Sequence, residues 1–266
     1  MEIVRGVSVA VFGLVLIGCA STSTAPTREE KAALAPTGQL RVGVYLGAPL
    51  SVVRDAESQQ LKGVGFELGQ QLSRRLGVAF EPVVYPSIGA LFEGAKSKQW
   101  DVSFFQISPA RMKDFDFTGP IVEIELGYLV PRGSRVSTPA DADTPGIRIA
   151  VAQKGQSDVI LSGMLKSAKL IRVSGVSAAL ELLKSGEADV IANVKPSLFE
   201  LSQQLPGSRV LEGRFATEYF AMAIPKGRDT GLAYARRFIE EVRSEGVLKT
   251  AVERAEIRGA VVPPAK

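Results

Sequence analysis

Short β-branched apolar runs alternate with amphipathic stretches along most of this chain, which predicts α/β layers and neither an all-β nor a bundle fold. Leu40 to Tyr45 is the first strand, and Gly65 to Leu76 carries Phe66, Leu68, Leu72 and Leu76 on one helical face ended by Gly77. A strand over 78–85, a helix from about 87 to 98 and strands over 101–105 and 127–130 follow. Residues 134–146 are polar and turn-rich, and they mark a boundary. Beyond them come a strand over 147–152, a helix over 156–166, a strand over 169–173, a helix over 176–185 and a strand over 188–192. Tyr219 to Ile224 is a strand ending at Pro225, followed by helices over 231–245 and from Val247. No internal repeat stands out.

The N-terminus changes that picture. Arg5 precedes an apolar run from Val7 to Ile17, too short for a permanent span, which reads as a signal peptide over 1–18. The run ends in Leu16-Ile17-Gly18-Cys19, which resembles a bacterial lipobox. Cys19 is therefore the expected lipidation site, carrying diacylglycerol and palmitate on the mature first residue. Residues 19–38, rich in Ser, Thr, Ala and Pro, are expected to be a flexible tether. The expected location is the periplasmic or extracellular face of the envelope, on a lipid anchor.

Composition removes whole classes of chemistry. Cys19 is the only cysteine and there are no histidines, which excludes a disulfide, Ser-His-Asp and Cys-His catalysis and His-based zinc sites. No metal or cofactor is expected. The 32 basic and 28 acidic residues are interspersed, so nucleic acid is not an expected partner.

The order of short motifs resembles the bacterial extracellular solute-binding proteins, family 3, over about residues 39 to 255. The fragments are Leu40-Arg-Val-Gly, Gly63-Val-Gly-Phe-Glu-Leu, Lys98-Gln-Trp-Asp101, Ile107-Ser-Pro-Ala-Arg111, Phe115-Asp-Phe-Thr-Gly-Pro120, Val151-Ala-Gln-Lys-Gly155, Gly186-Glu-Ala-Asp-Val190 and Ala223-Ile-Pro-Lys-Gly227. The resemblance implies a two-lobed periplasmic binding protein fold of type II, each lobe a mixed sheet flanked by helices, with two hinge crossings. Lobe 1 would be 39–131 plus 221–266 and lobe 2 would be 132–220, with the crossings near Leu129-Val130 and Ala221-Met222. It further implies a monomer that captures a small carboxylate-bearing solute, an amino acid or a related acid, and presents it to an ABC permease in the inner membrane.

Arg111 is the first candidate binding residue. Its guanidinium fits a carboxylate edge to edge, as the matching family arginine does; the alternative is a surface arginine paired with Asp114 or Asp116. Ser108 is a ligand contact, a helix N-cap, or both. Gln106 stands where relatives have Ser or Thr and can donate through its amide, and Ser103 lies on the same strand. Gln156 or Ser157 matches a family Thr at a helix start. Tyr45 and Tyr85 are alternative aromatic platforms, with a half-buried core role as the competing reading. Strand alternation lets only one of Phe104 and Phe105 reach the cleft.

One departure bears on the ligand. Relatives carry a second Asp, which pairs with the ligand ammonium, where this chain has Val194, flanked by Asn193 and Lys195. Asn193 can accept one bond from an amine, and Lys195 favours a second anionic group. A turn that brings Glu200 inward is the alternative source of negative charge. Three functions compete: a transport receptor, a sensory or accessory lipoprotein, and a dehydratase resembling cyclohexadienyl dehydratases. The last needs a carboxylate, and Glu67, Glu93, Glu123 and Glu218 show no characteristic spacing. We therefore expect a non-enzyme.

Overall fold

The structure, a computed structural model, describes residues 25–265 apart from residue 56. The leader and Cys19 lie outside the described residues. The described chain builds strand β1 (Gln39–Tyr45), the short hairpin β2 (Val53–Arg54) and β3 (Leu61–Lys62), helix α2 (Val64–Leu76), β4 (Ala79–Tyr85), α3 (Ile88–Lys96), β5 (Val102–Gln106) and the long β6 (Phe115–Val130). Next come β7 (Arg148–Ala152), α4 (Gln156–Met164), β8 (Lys169–Val173), α5 (Val176–Ser185), β9 (Val190–Val194), α6 (Lys195–Gln203) and β10 (Arg209–Val210). The chain returns through β11 (Ala216–Pro225), α7 (Asp229–Ser244), α8 (Val247–Arg254) and β12 (Ala260–Val261), and helix α1 (Arg28–Leu34) precedes them all.

The strands run β4-β1-β5-β11-β6-β9-β7-β8, with β10 and β12 also paired to β6. β1 is parallel to β4 and β5, and β7 is parallel to β8 and β9, while β11 and β6 are antiparallel to their neighbours. This is the two-lobed α/β fold, with one refinement. The sheets expected of each lobe are joined into a single mixed sheet because the long β6 runs through both. The cores stay separate. Ile124 belongs to a cluster with α2, α7 and β1, whereas Tyr128 and Leu129 belong to clusters with β7, α5 and β9.

Two sequence expectations fail for identifiable reasons. The sequence predicts this strand only from Gly127, whereas β6 begins at Phe115. In the structure Pro120 sits at a register shift opposite Ala221, a bulge where no ladder N–H is required. The tether was expected to run to residue 38, yet Arg28–Leu34 is helical, started by a capping box in which Thr27 and Glu30 bond reciprocally. Leu34 is fully buried, lying against Gly231 of α7, and Glu30 pairs with Arg237.

The loop before α2 carries part of the cavity wall. The first N–H groups of α2 donate to the carbonyls of Pro49, Leu50 and Ser51, so a backbone turn and not a side chain caps this helix. Gly63 permits it: its φ is +150° and a Cβ would lie 2.7 Å from the Ser51 carbonyl oxygen.

Candidate functional site

A cavity of about 780 Å³ opens where the two cores meet, lined from one side by Tyr45, Pro49, Leu50, Gln106 and Arg111 and from the other by Gln156, Ser157, Asn193 and Val194. β6 and β11 supply further wall through Ile124, Leu126, Glu218 and Phe220. A side crevice of about 110 Å³ brings Ser108, Gln106, Arg111, Gln156 and Glu218 together.

Arg111 opens a short 3-10 turn, Arg111–Lys113, in the loop between β5 and β6. Ser108 Oγ accepts from the Arg111 N–H at 3.4 Å just ahead of that turn, whose N-cap is Ala110. Arg111 Nη1 donates to the Gln106 carbonyl oxygen at 2.9 Å and to Gln106 Oε1 at 3.3 Å. The guanidinium lies 5.2 Å from the Phe92 ring centroid and 5.6 Å from that of Phe105, a stacked seat that immobilises it. Burial pushes the Arg111 pKa down, against the pull of Tyr45 and Glu218. Among the described residues, no carboxylate lies within ion-pair distance of Arg111, and Asp116 is engaged by Lys226 instead.

Across the cavity, α4 begins at Gly155 with no side-chain cap, leaving its first N–H groups directed at the end of the helix. Ser157 Oγ in that first turn is buried and has no hydrogen-bond partner among the described residues. A buried hydroxyl without a partner is costly, and a guest that supplied an acceptor would remove that cost. Asp158 turns away, accepting from the Lys154 N–H, Ser162 and Arg172.

The structure thus gathers Tyr45, Gln106, Arg111, Gln156, Ser157 and Asn193 onto the cavity and places Ser108 at its side crevice. It does not bring Ser103 and Tyr85 there. Ser103 is fully buried in β5 and donates to the Gly43 carbonyl oxygen at 2.7 Å. Tyr85 packs with Leu91 and Trp100, its hydroxyl donating to Gln99. Neither Phe104 nor Phe105 reaches the cavity either. They enter cores on opposite faces of the sheet, and the following residue, Gln106, meets the opening. Lys195 is spent on Glu125, with Nζ to Oε2 at 2.5 Å, while Arg214 holds the other oxygen of Glu125. Asn193 Oδ1 accepts from the Val194 N–H at 2.8 Å, so both residues flanking Val194 are already engaged.

Several wall residues escape a sequence reading. Glu218 is buried, its carboxylate accepting from Gln106 Nε2. Beginning the strand at Tyr219 leaves this residue in a loop; starting it at Ala216 puts Glu218 and Phe220 on one face. Burial pushes the Glu218 carboxyl above the usual carboxylate range, against the pull of Gln106 and Arg111. Glu200 does line the cavity, as do Glu256, Ile257 and Arg258 after α8. Arg258 stacks on Phe199 of α6 at 4.2 Å, so the C-terminal segment bridges back to the other side of the opening.

The profile of bacterial extracellular solute-binding proteins, family 3, matches residues 40–254. The "Probable amino-acid ABC transporter-binding protein" of Haemophilus influenzae is 27% identical over 197 residues, which is 73% of this chain and 75% of that protein. Among solved structures, the solute receptor for L-cysteine of Neisseria gonorrhoeae superposes with a TM-score of 0.62 at 22% identity, covering 86% of this chain and 95% of the other. An ancestral amino-acid-binding protein described as a precursor of cyclohexadienyl dehydratase gives a TM-score of 0.62 at 21% identity, covering 84% of this chain and 97% of the other. Among the described residues, no helix is long and apolar enough to cross a membrane.

Proposed function

We propose, since the chain belongs to the bacterial extracellular solute-binding proteins, family 3, that it captures a small carboxylate ligand, an amino acid or a close relative, in the cavity between its lobes. The observation that carries this reading is Arg111: a half-buried guanidinium, seated against two rings, on a cavity wall, with no carboxylate of the protein within pairing distance among the described residues. In a partly dry cavity a bidentate arginine–carboxylate pair is worth several times its value at a surface. The uncapped start of α4, with Ser157, offers donors for the same group.

On this reading the lobes close over the ligand, hinging where β6 changes core between Ile124 and Tyr128 and at the start of β11. This puts the lobe boundaries a few residues before the 131/132 and 220/221 positions expected from the sequence, because Tyr128, Leu129 and Val130 pack in the second lobe's cores and Phe220 in the first lobe's. The receptor delivers its ligand to an ABC permease, and a lipid on Cys19 holds it at the membrane. We read it as a binding protein and not an enzyme, because binding is what the curated relatives' names record.

Titration calorimetry with L-amino acids, their 2-hydroxy analogues and dicarboxylates tests the reading, using protein that lacks residues 1–24. We expect a micromolar or tighter ligand whose binding Arg111→Ala abolishes. Full binding by Arg111→Ala would sink the proposal, and turnover of prephenate or arogenate would replace the receptor with an enzyme.

A further inference from the structure

We propose that Glu218, on the strand that leads from lobe 2 back into lobe 1, is the counter-charge for the ligand's ammonium, so that Gln106, Arg111 and Glu218 together read an α-amino acid. The inference rests on the carboxylate-binding reading above and adds to it the class of ligand.

An ammonium buried without a negative partner is strongly disfavoured, so a cavity that takes amino acids must present a carboxylate to it. The segment around Val194 cannot. Val194 and Asn193 carry no charge, Asn193 Oδ1 already accepts from the next N–H, and Lys195 is held by Glu125. Among the described residues, three carboxylates line the cavity. Glu200 and Glu256 are exposed, and only Glu218 is buried, at 7% exposure.

Gln106 sets the spacing. Its Oε1 accepts from Arg111 while its Nε2 donates to Glu218 Oε2, so one amide fixes a cation on one side and an anion on the other. The Oε1 atom of Glu218 has no hydrogen-bond partner among the described residues and is left for a guest. The cation and the anion flank a single side chain, as the carboxylate and ammonium of an α-amino acid flank a single carbon. The ligand-free site is unsatisfied in the matching sense: burial weakens the ionisation of both Glu218 and Arg111. A zwitterion between them restores both. An acid with a hydroxyl in place of the amine answers only Arg111.

The test is calorimetric, on matched pairs: L-leucine and L-2-hydroxy-4-methylpentanoate, L-phenylalanine and L-3-phenyllactate, L-glutamate and L-2-hydroxyglutarate. Wild type should prefer the amino acid of a bound pair by at least about a hundredfold, the scale on which a buried charge loses its partner. Glu218→Gln, which keeps the shape, should cut that preference at least tenfold, and Glu218→Asp should keep most of it. An unchanged preference in Glu218→Gln, with Arg111→Ala still abolishing both members, overturns this inference and leaves the receptor reading standing. Equal loss of both members in Glu218→Gln also overturns it, since the residue would then serve the fold. If Arg111→Ala binds like wild type, or if no L-amino acid or 2-hydroxy analogue of the wider panel binds, the receptor reading fails and takes this one with it.

Discussion

Arg148 clamps Asp189 with the contacts by which Arg41 clamps Asp101. In each pair the arginine N–H and Nε share one carboxylate oxygen, Nη2 takes the other, and the aspartate N–H donates back to the arginine carbonyl. Each pair joins the first residues of a lobe's central strand, β1 or β7, to the residue just before its parallel partner, β5 or β9. The guanidinium then closes the preceding turn, on the Lys98 carbonyl in one lobe and the Gly186 carbonyl in the other. The two lobes therefore share a device, although no repeat is visible in the sequence.

The two copies differ in burial, which ranks their cost. Asp101 is fully buried and also holds Arg228 at 3.2 Å, so Asp101→Ala strands two guanidinium groups and should cost about 3–5 kcal/mol. Asp189 is about one-third exposed and its arginine somewhat more. Solvent screening should hold Asp189→Ala to about 1 kcal/mol. Urea midpoints for the two variants check the order, and equal losses would contradict it.

Ser157 should show opposite effects with and without ligand. Its Oγ is buried without a partner among the described residues, so Ser157→Ala should leave the ligand-free protein as stable or raise its stability by about 1 kcal/mol. If the hydroxyl serves the bound carboxylate, the same change should weaken ligand binding several-fold. Melting temperatures with and without saturating ligand read both effects.

How much of this was legible beforehand depends on how local each signal is. The strand–helix alternation, the Gly77 stop after α2 and the Arg111 motif are carried by a few neighbouring residues, and each is where the sequence places it. The failures needed partners distant in the chain. Along the sequence Tyr85 is an open candidate; in the fold Gly94 lies under its ring, where a Cβ would sit 2.1 Å from the hydroxyl. Lys195 looked free because Glu125, 70 positions away, is out of sight along the chain. Glu218 is one glutamate among several until its strand gains three residues at its start and, with them, a face.

Helix α1 shows the same limit and gives a stability test. Thr, Ala and Pro around it suggest a tether, but the Thr27–Glu30 capping box starts a helix whose Leu34 is fully buried. Leu34→Ala should cost about 2–5 kcal/mol as a core truncation, and Thr27→Ala about 1 kcal/mol through loss of the cap. A tether would register neither change in denaturant titrations, so two silent variants would restore that reading.

Glu218 makes the ligand-free protein sensitive to pH in a defined direction. Burial raises its carboxyl above the reference value of 4.5, so the folded state prefers the protonated form. Stability from this group is complete below the unfolded value and is lost as pH rises through the folded one. Glutamine imitates the protonated acid and does not titrate. Glu218→Gln should therefore match wild type in acid, then become progressively more stable as pH rises, levelling off once wild type is ionised. An added amino acid should reverse the order at neutral pH, because its ammonium stabilises the ionised carboxylate that the variant lacks. Melting curves of both proteins across pH 4 to 8 decide it. A gap that stays constant over that range would mean that the substitution acts through packing and not through the charge.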